Sequence, residues 1–164
     1  VIKASFPHVT DQRTRVLILG SLPGEVSLAR AQYYAHPQNQ FWRLMDAVTG
    51  AGLADLAYPA RLAALLKAGV GLWDVVRTAR RSGSLDADIR DHTPNALGSL
   101  AATLPDLRAI AFNGAKASAL GRKRLGGDVD CALLTLPSSS PAHTMPFANK
   151  AAEWARLRAY LAFL

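Results

Sequence analysis

Four short apolar runs, each followed by a stretch of helical periodicity, restrict the fold of this chain more than any other feature. They fall at residues 16–19, 72–76, 109–112 and 132–136. Near-continuous apolar runs of this length suit strands buried on both faces. Apolar residues spaced three and four apart mark helices over about 41–48, 60–67, 95–103 and 116–124. A last helix is expected over about 147–164, with Trp154, Leu157, Leu161 and Leu164 on one core-facing stripe. Strands alternating with helices imply an α/β fold, a parallel sheet covered by helices on both faces. The 164 residues suit one domain spanning 1–164.

In such sheets ligands bind beyond the carboxyl ends of the strands. The segments there are Gly20-Ser21-Leu22-Pro23-Gly24, the stretch from Arg77, Asn113-Gly114, and Pro137-Ser138-Ser139-Ser140-Pro141. All are rich in turn formers and small polar residues.

Composition narrows the function. The single cysteine, Cys131, excludes an intramolecular disulfide, a Cys-ligated iron–sulfur cluster and a Cys-rich zinc site, and its apolar surroundings suit a small buried hydrophobe. No metal or other cofactor is expected. No apolar stretch is long enough to span a bilayer, and residues 1–8 lack a signal-peptide pattern, so the expectation is a cytoplasmic monomer with no membrane partner. A net charge of +7 and a pI near 10.1 suit a polyanionic partner such as nucleic acid. Basic residues cluster at Arg77, Arg80, Arg81 and at Arg122, Lys123, Arg124; each cluster is either a DNA-facing patch or a solvated face.

The least ordinary stretch is Gln32-Tyr33-Tyr34-Ala35-His36-Pro37-Gln38-Asn39-Gln40-Phe41-Trp42. Tyr34, in a loop before His-Pro, offers a flat face on which a base can stack. Asn39 is placed to cap the following helix. Asn113 carries a donor and an acceptor together, as reading a base edge requires, although Asn-Gly is also a plain turn signal. The hydroxyls and backbone N–H groups of Ser138, Ser139 and Ser140 suit a phosphate cradle, and His143 can donate to a base oxygen or a phosphate. The first loop does not fit the G-x-G-x-x-G dinucleotide fingerprint.

Taken together, Gly20-Ser21-Leu22-Pro23-Gly24, Tyr34-Ala35-His36-Pro37-Gln38-Asn39-Gln40-Phe41-Trp42 and Leu136-Pro137-Ser138-Ser139-Ser140-Pro141-Ala142-His143 resemble the signature loops of the uracil-DNA glycosylase superfamily. They are closest to its hypoxanthine-DNA glycosylase branch, with relation to the mismatch-specific branch; Trp73-Asp74-Val75 and Gly83-Ser84-Leu85-Asp86 also look like the hypoxanthine branch. The resemblance implies a three-layer α/β/α fold around a four-stranded parallel sheet. It implies a monofunctional glycosylase that hydrolyses the N-glycosidic bond of a deaminated base flipped out of DNA, hypoxanthine in preference to uracil or xanthine. By motif position, Tyr34 stacks on the base, Asn113 reads its edge, and Ser21 and His143 contribute base contacts. Ser138, Ser139, Ser140 and His143 meet the DNA. Most branches carry Asp or Asn before the proline of the first loop to orient water; Leu22 stands there, so the resemblance passes the catalytic role to Asn39, with Asn113 assisting. The wedge position of the last loop is Ser140, with Met145 or Phe147 as larger substitutes nearby. Rival readings are a uracil- or mismatch-specific glycosylase, a non-catalytic DNA-binding member of the fold, and a nucleotide-binding α/β enzyme.

Overall fold

The computed structural model describes residues 2–127 and 129–161. Its centre is a four-stranded, all-parallel sheet in the order β3-β2-β6-β7, formed by β2 (Val16–Gly20), β3 (Val70–Asp74), β6 (Ala109–Asn113) and β7 (Ala132–Leu136). Successive residues of a strand point to opposite faces. Val16 and Ile18 accordingly join Leu72, Ala111 and Leu136 on one face, while Leu17 and Leu19 join Ile110 and Phe112 on the other.

Helices cover both faces. On the first lie α2 (Phe41–Thr49), α3 (Tyr58–Lys67) and α6 (Phe147–Trp154), which bury Phe41, Leu44, Met45, Leu65 and Trp154 completely. On the second lie α4 (Leu97–Ala102) and α5 (Ala115–Leu125). Each large apolar side chain so buried contributes roughly 1.5–3 kcal/mol. The three-layer expectation therefore holds. A short α1 (Glu25–Arg30) follows the first loop, and no described helix is long and apolar enough to cross a membrane.

Two elements differ from the sequence expectation. The run at 72–76 is two strands. β3 ends at Asp74, and β4 (Val76–Arg80) joins β1 (Ile2–Ala4) and β5 (Arg90–Pro94) in a separate antiparallel sheet of order β1-β4-β5. Val75 and Val76 are both fully buried, so hydropathy passes through the break unmarked. The buried amide of Asn95 sits at the switch, donating from Nδ2 to the Asp74 carbonyl at 2.8 Å while its backbone N–H donates to the Val75 carbonyl at 2.8 Å.

The last helix is also broken. α6 passes through a 3-10 turn, Ala155–Leu157, into α7 (Arg158–Leu161), and Arg158 donates to the carbonyls of Ala47 and Val48 in the last turn of α2. Leu164, expected on the apolar stripe, lies outside the described residues.

Candidate active site

A cavity of about 470 Å³ opens at the carboxyl ends of the parallel strands. It is lined by the first loop, by Tyr33, Tyr34, His36 and Asn39, by Asp74, by Ser84 to Asp86, by Asn113, and by the serine loop up to His143. Ser21, Tyr34, Asn39, Asn113, Ser138, Ser139, Ser140 and His143, scattered over 123 positions of sequence, all border this one space.

Tyr34 is held in an unusual way. Its backbone is left-handed at φ +54°, a region that a bulky side chain enters at a cost of roughly 1–2 kcal/mol. Its ring stacks on Phe41, with centroids 3.9 Å apart and planes 16° from parallel. Phe41 itself is fully buried against Trp42 and Trp154, so the stack rests on the core. The hydroxyl is buried and lies near enough to the Asn113 amide to be influenced by it, yet no hydrogen bond of normal geometry joins them. Burial, reinforced by Asp74, raises the phenol pKa, so the ring is neutral.

Beside that hydroxyl sits Asp74, the last residue of β3, which the sequence reading did not assign a role. The two meet over Gly20 at the end of β2: a Cβ there would lie 2.6 Å from Asp74 Oδ1 and 3.1 Å from the Tyr34 hydroxyl. Glycine is therefore required at position 20 for both groups to reach the cavity floor. Asp74 is 4% exposed, and its Oδ2 has no hydrogen-bond partner among the described residues. Burial first, then the neighbouring Asp86 carboxylate, push its pKa up to about 7 against the opposing pull of Arg81. The signal for Asp74 was its place just beyond the apolar stretch 70–73; extending that strand to residue 76 hid it.

The first loop is fixed by side chains from the small sheet and the segment after it. Ser21 Oγ donates to Asp86 Oδ1 at 2.5 Å, and the Glu25 N–H donates to Ser84 Oγ at 2.9 Å. Arg81 is buried and donates to the carbonyls of Leu22, Pro23 and Gly83. Arg81 is thus an internal tie, and of its basic cluster only Arg77 and Arg80 are exposed. Leu22 packs with Val76, Ala79 and Ile89 in a small apolar cluster, which accounts for an apolar residue at that place in the loop.

Asn113 ends β6 and grips the serine loop with both ends of its amide. Nδ2 donates to Ser139 Oγ at 2.9 Å, and Oδ1 accepts the Ser139 N–H at 2.9 Å. One N–H and one lone pair of the amide are left over. Gly114, at φ +101°, lets Ser138 approach: an added Cβ would lie 3.2 Å from that of Ser138. Ser139 is buried, and its carbonyl accepts from the Gln40 N–H at 3.0 Å, so its polar groups are committed inside the protein. Ser138 and Ser140 are only half buried, and His143 is exposed. From below, Lys150 Nζ donates to the Ser140 carbonyl at 3.2 Å and Trp154 Nε1 to that of Pro137 at 2.9 Å. Lys150 is almost completely buried, which lowers its pKa.

Asn39 borders the cavity but does not cap α2 as expected: Gln40 is the N-cap residue and makes no side-chain cap bond, and Asn39 stands one residue earlier, its Oδ1 accepting the Phe41 N–H at 3.0 Å in a two-residue turn that leads into the helix. No hydrogen bond is made by its amide nitrogen among the described residues. Of the two larger residues past the serines, Met145 is exposed, whereas Phe147 lies under the Arg43 guanidinium, 4.3 Å from its ring centroid. Among the described residues no group of three or more His, Cys, Asp or Glu is arranged to hold a metal ion. The arrangement suits a flat, uncharged ring system with polar edges: one aromatic wall, amide and carboxyl groups at the floor, and a rim of hydroxyls and N–H groups.

Comparison with known proteins agrees with this geometry. The family model of the uracil DNA glycosylase superfamily matches residues 6–162. A hypoxanthine DNA glycosylase of Methanosarcina acetivorans is 41% identical over 154 residues, covering 94% of this chain and 96% of that protein. A hypoxanthine DNA glycosylase of Methanosarcina barkeri is 45% identical over 114 residues, covering 70% of this chain and 72% of its own. The solution NMR structure of a Methanosarcina acetivorans protein, described as a candidate uracil DNA glycosylase, superimposes with a TM-score of 0.85 at 39% identity, covering 98% of this chain and 99% of that one.

Proposed function

The chain belongs to the uracil DNA glycosylase superfamily, and we propose that it excises hypoxanthine from DNA by hydrolysing the N-glycosidic bond of deoxyinosine, leaving an abasic site. The observation that carries this is the meeting of three distant motif loops around one cavity at the strand ends, in a chain 41% identical to a hypoxanthine DNA glycosylase over nearly its whole length. A cytoplasmic monomer acting on DNA is part of the same reading.

A base inside the duplex cannot reach such a cavity, so the nucleotide must leave the stack, at a cost of a few kcal/mol that is smallest for a mispaired base. Deamination produces such a base. In the cavity Tyr34 supplies a stacking wall, already stiffened by Phe41. Cleavage passes through an oxocarbenium-like state in which negative charge develops on the departing base. Hydrogen bonds that strengthen at that stage lower the barrier most. Asn113, through its remaining N–H and lone pair, the N–H groups around Ser21, and His143 are assigned to the base. Asn39 orients the attacking water through its amide, which is a negligible base.

Ser138, Ser140 and His143 are the half-buried and exposed members of the rim and are assigned to the DNA backbone, with Ser139 shaping their loop. Of the two larger residues past the serines, Met145 is the exposed one and is assigned to the vacated stack. Among the described residues no lysine lines the cavity, which supports simple hydrolysis without strand cleavage through a lysine adduct.

The test is incubation with duplexes carrying a single deoxyinosine, deoxyuridine or deoxyxanthosine, followed by alkaline cleavage of abasic sites. Deoxyinosine is expected to be processed fastest, with uracil weak or inert. Release of uracil as fast as hypoxanthine refutes the base assignment, and absence of any abasic product refutes the enzyme.

A further inference from the structure

We propose that Asp74 is a general acid in this reaction, donating its carboxyl proton to the departing base as the glycosidic bond breaks. The inference rests on the cavity being the base pocket and adds a proton donor to it.

Three observations carry it. Asp74 ends β3 at the floor of the cavity, where the strand ends of β2 and β3 converge. Its Oδ2 is buried without a partner among the described residues, so none of them consumes its donor or acceptor capacity. The lack of a side chain at Gly20 lets the carboxyl and the Tyr34 hydroxyl occupy that floor together. An unpartnered buried carboxyl is costly unless it is neutral or a ligand satisfies it.

The surroundings hold the proton in place. Burial and the Asp86 carboxylate both disfavour a second negative charge. Ser21 donates to Asp86 at 2.5 Å and holds that side chain in place beside the cavity. Arg81, the cation that opposes them, is tied to the carbonyls of Leu22, Pro23 and Gly83. Tyr33 and Tyr34, the phenols near Asp74, stay neutral because their own pKa values are raised. His36 and His143 border the same cavity. The resulting carboxyl keeps its proton up to about pH 7. A group that holds a proton at the working pH and releases it near neutrality is matched to acid catalysis.

The step balances as follows. The C1′–N9 bond of deoxyinosine breaks, its electron pair passing to the purine. The Asp74 proton moves to N7, so the base departs neutral and Asp74 becomes a carboxylate. Water adds to C1′ and gives up its proton to solvent, and solvent reprotonates Asp74 after the base leaves.

The experiment compares wild type with Asp74→Asn by single-turnover cleavage of deoxyinosine and 7-deazadeoxyinosine duplexes across pH 5.5–8.5. The 7-deaza base has no N7 to protonate. On deoxyinosine the wild-type rate is expected to fall with rising pH beyond about 7. Asp74→Asn is expected to be about 10²–10³-fold slower at pH 6, with a flat profile. On the 7-deaza substrate both proteins are expected to be equally slow. Asparagine has the size of aspartate, and the melting temperature and abasic-DNA binding of the variant report whether its fold and groove persist. If it does not fold, the two wild-type profiles decide. A variant with the wild-type rate and profile overturns the proposal, as does a wild-type rate that rises through neutral pH, which would make Asp74 a base. Wild type that cleaves deoxyinosine while the variant is unaffected refutes only the role of Asp74. Wild type that releases no base refutes the glycosylase assignment as well.

Discussion

Asn39 makes a hydrogen bond that stabilises α2 and also borders the cavity, so a substitution there has two separable consequences. Asn39→Ala removes the acceptor for the Phe41 N–H at the start of the helix. Loss of one such hydrogen bond costs about 1 kcal/mol. In a domain of this size that corresponds to a fall of roughly 2–4 °C in melting temperature. If the amide also orients water, single-turnover cleavage of deoxyinosine should drop by about one to three orders of magnitude, or roughly 1.4–4 kcal/mol of transition-state stabilisation. Asn39→Ser separates the two, because a serine hydroxyl can accept the same N–H but lacks the amide. The serine variant is expected to melt between wild type and the alanine variant, as a hydroxyl makes the same turn bond more weakly than an amide oxygen. It is expected to cleave as poorly as the alanine variant. Both should bind abasic-site DNA normally, since Asn39 is assigned to water and not to phosphates. A serine variant more stable than the alanine variant and normal in cleavage would refute the catalytic role, leave Asn39 as a turn residue ahead of the helix, and return the water to Asn113 or Asp74.

Other perturbations give distinct readouts. Tyr34→Ala should weaken substrate handling by about 1–3 kcal/mol, whereas Tyr34→Phe, which removes a hydroxyl without a partner, should leave cleavage nearly unchanged; a large loss in the Phe variant would show that the hydroxyl acts. Folding raises the Asp74 pKa from 3.8 to about 7, so its contribution is fully favourable below 3.8 and is lost as pH rises toward 7. That separation is worth roughly 4 kcal/mol. Asp74→Asn should therefore melt higher than wild type at pH 8.5 and show little difference at pH 4, which thermal denaturation at both pH values checks. Lys150→Met keeps the buried volume but frees the Ser140 carbonyl; abasic-DNA affinity, measured by fluorescence anisotropy, should fall about tenfold while the melting temperature holds or rises, because the buried ammonium is itself unfavourable.

The parallel sheet and its covering helices were legible because burial on both faces leaves an unbroken apolar run in the sequence. β2 and β7 lie where the runs at 16–19 and 132–136 indicate, extended by one residue in β2. The small antiparallel sheet left no such trace. β5 is exposed along its whole length, and β4 buries only Val76 and Ala79, three residues apart, within a basic segment, so neither shows the alternation of a half-buried strand. The site loops were legible through the strand-end rule and the quoted motifs. Asp74 was not assigned a role, because its neighbours Trp73, Val75 and Val76 are as apolar as the strand before them and place it inside a longer run. Arg81 resembled a surface cation because two of its partners are backbone carbonyls of residues 22 and 23, 59 and 58 positions away in sequence, which no local pattern reveals. Lys150 escaped notice because its partner, too, is a backbone carbonyl, that of Ser140.

The left-handed backbone of Tyr34 sets a limit on engineering. Glycine and asparagine adopt that conformation readily, and a tyrosine does not. A stability screen would therefore favour replacing Tyr34 wherever the lost ring contacts with Phe41 cost less than the relieved backbone strain. The same replacement removes the stacking wall. Position 34 is thus one where selection for thermal robustness and selection for turnover pull in opposite directions, and a library scored on melting alone would discard the enzyme while improving the fold.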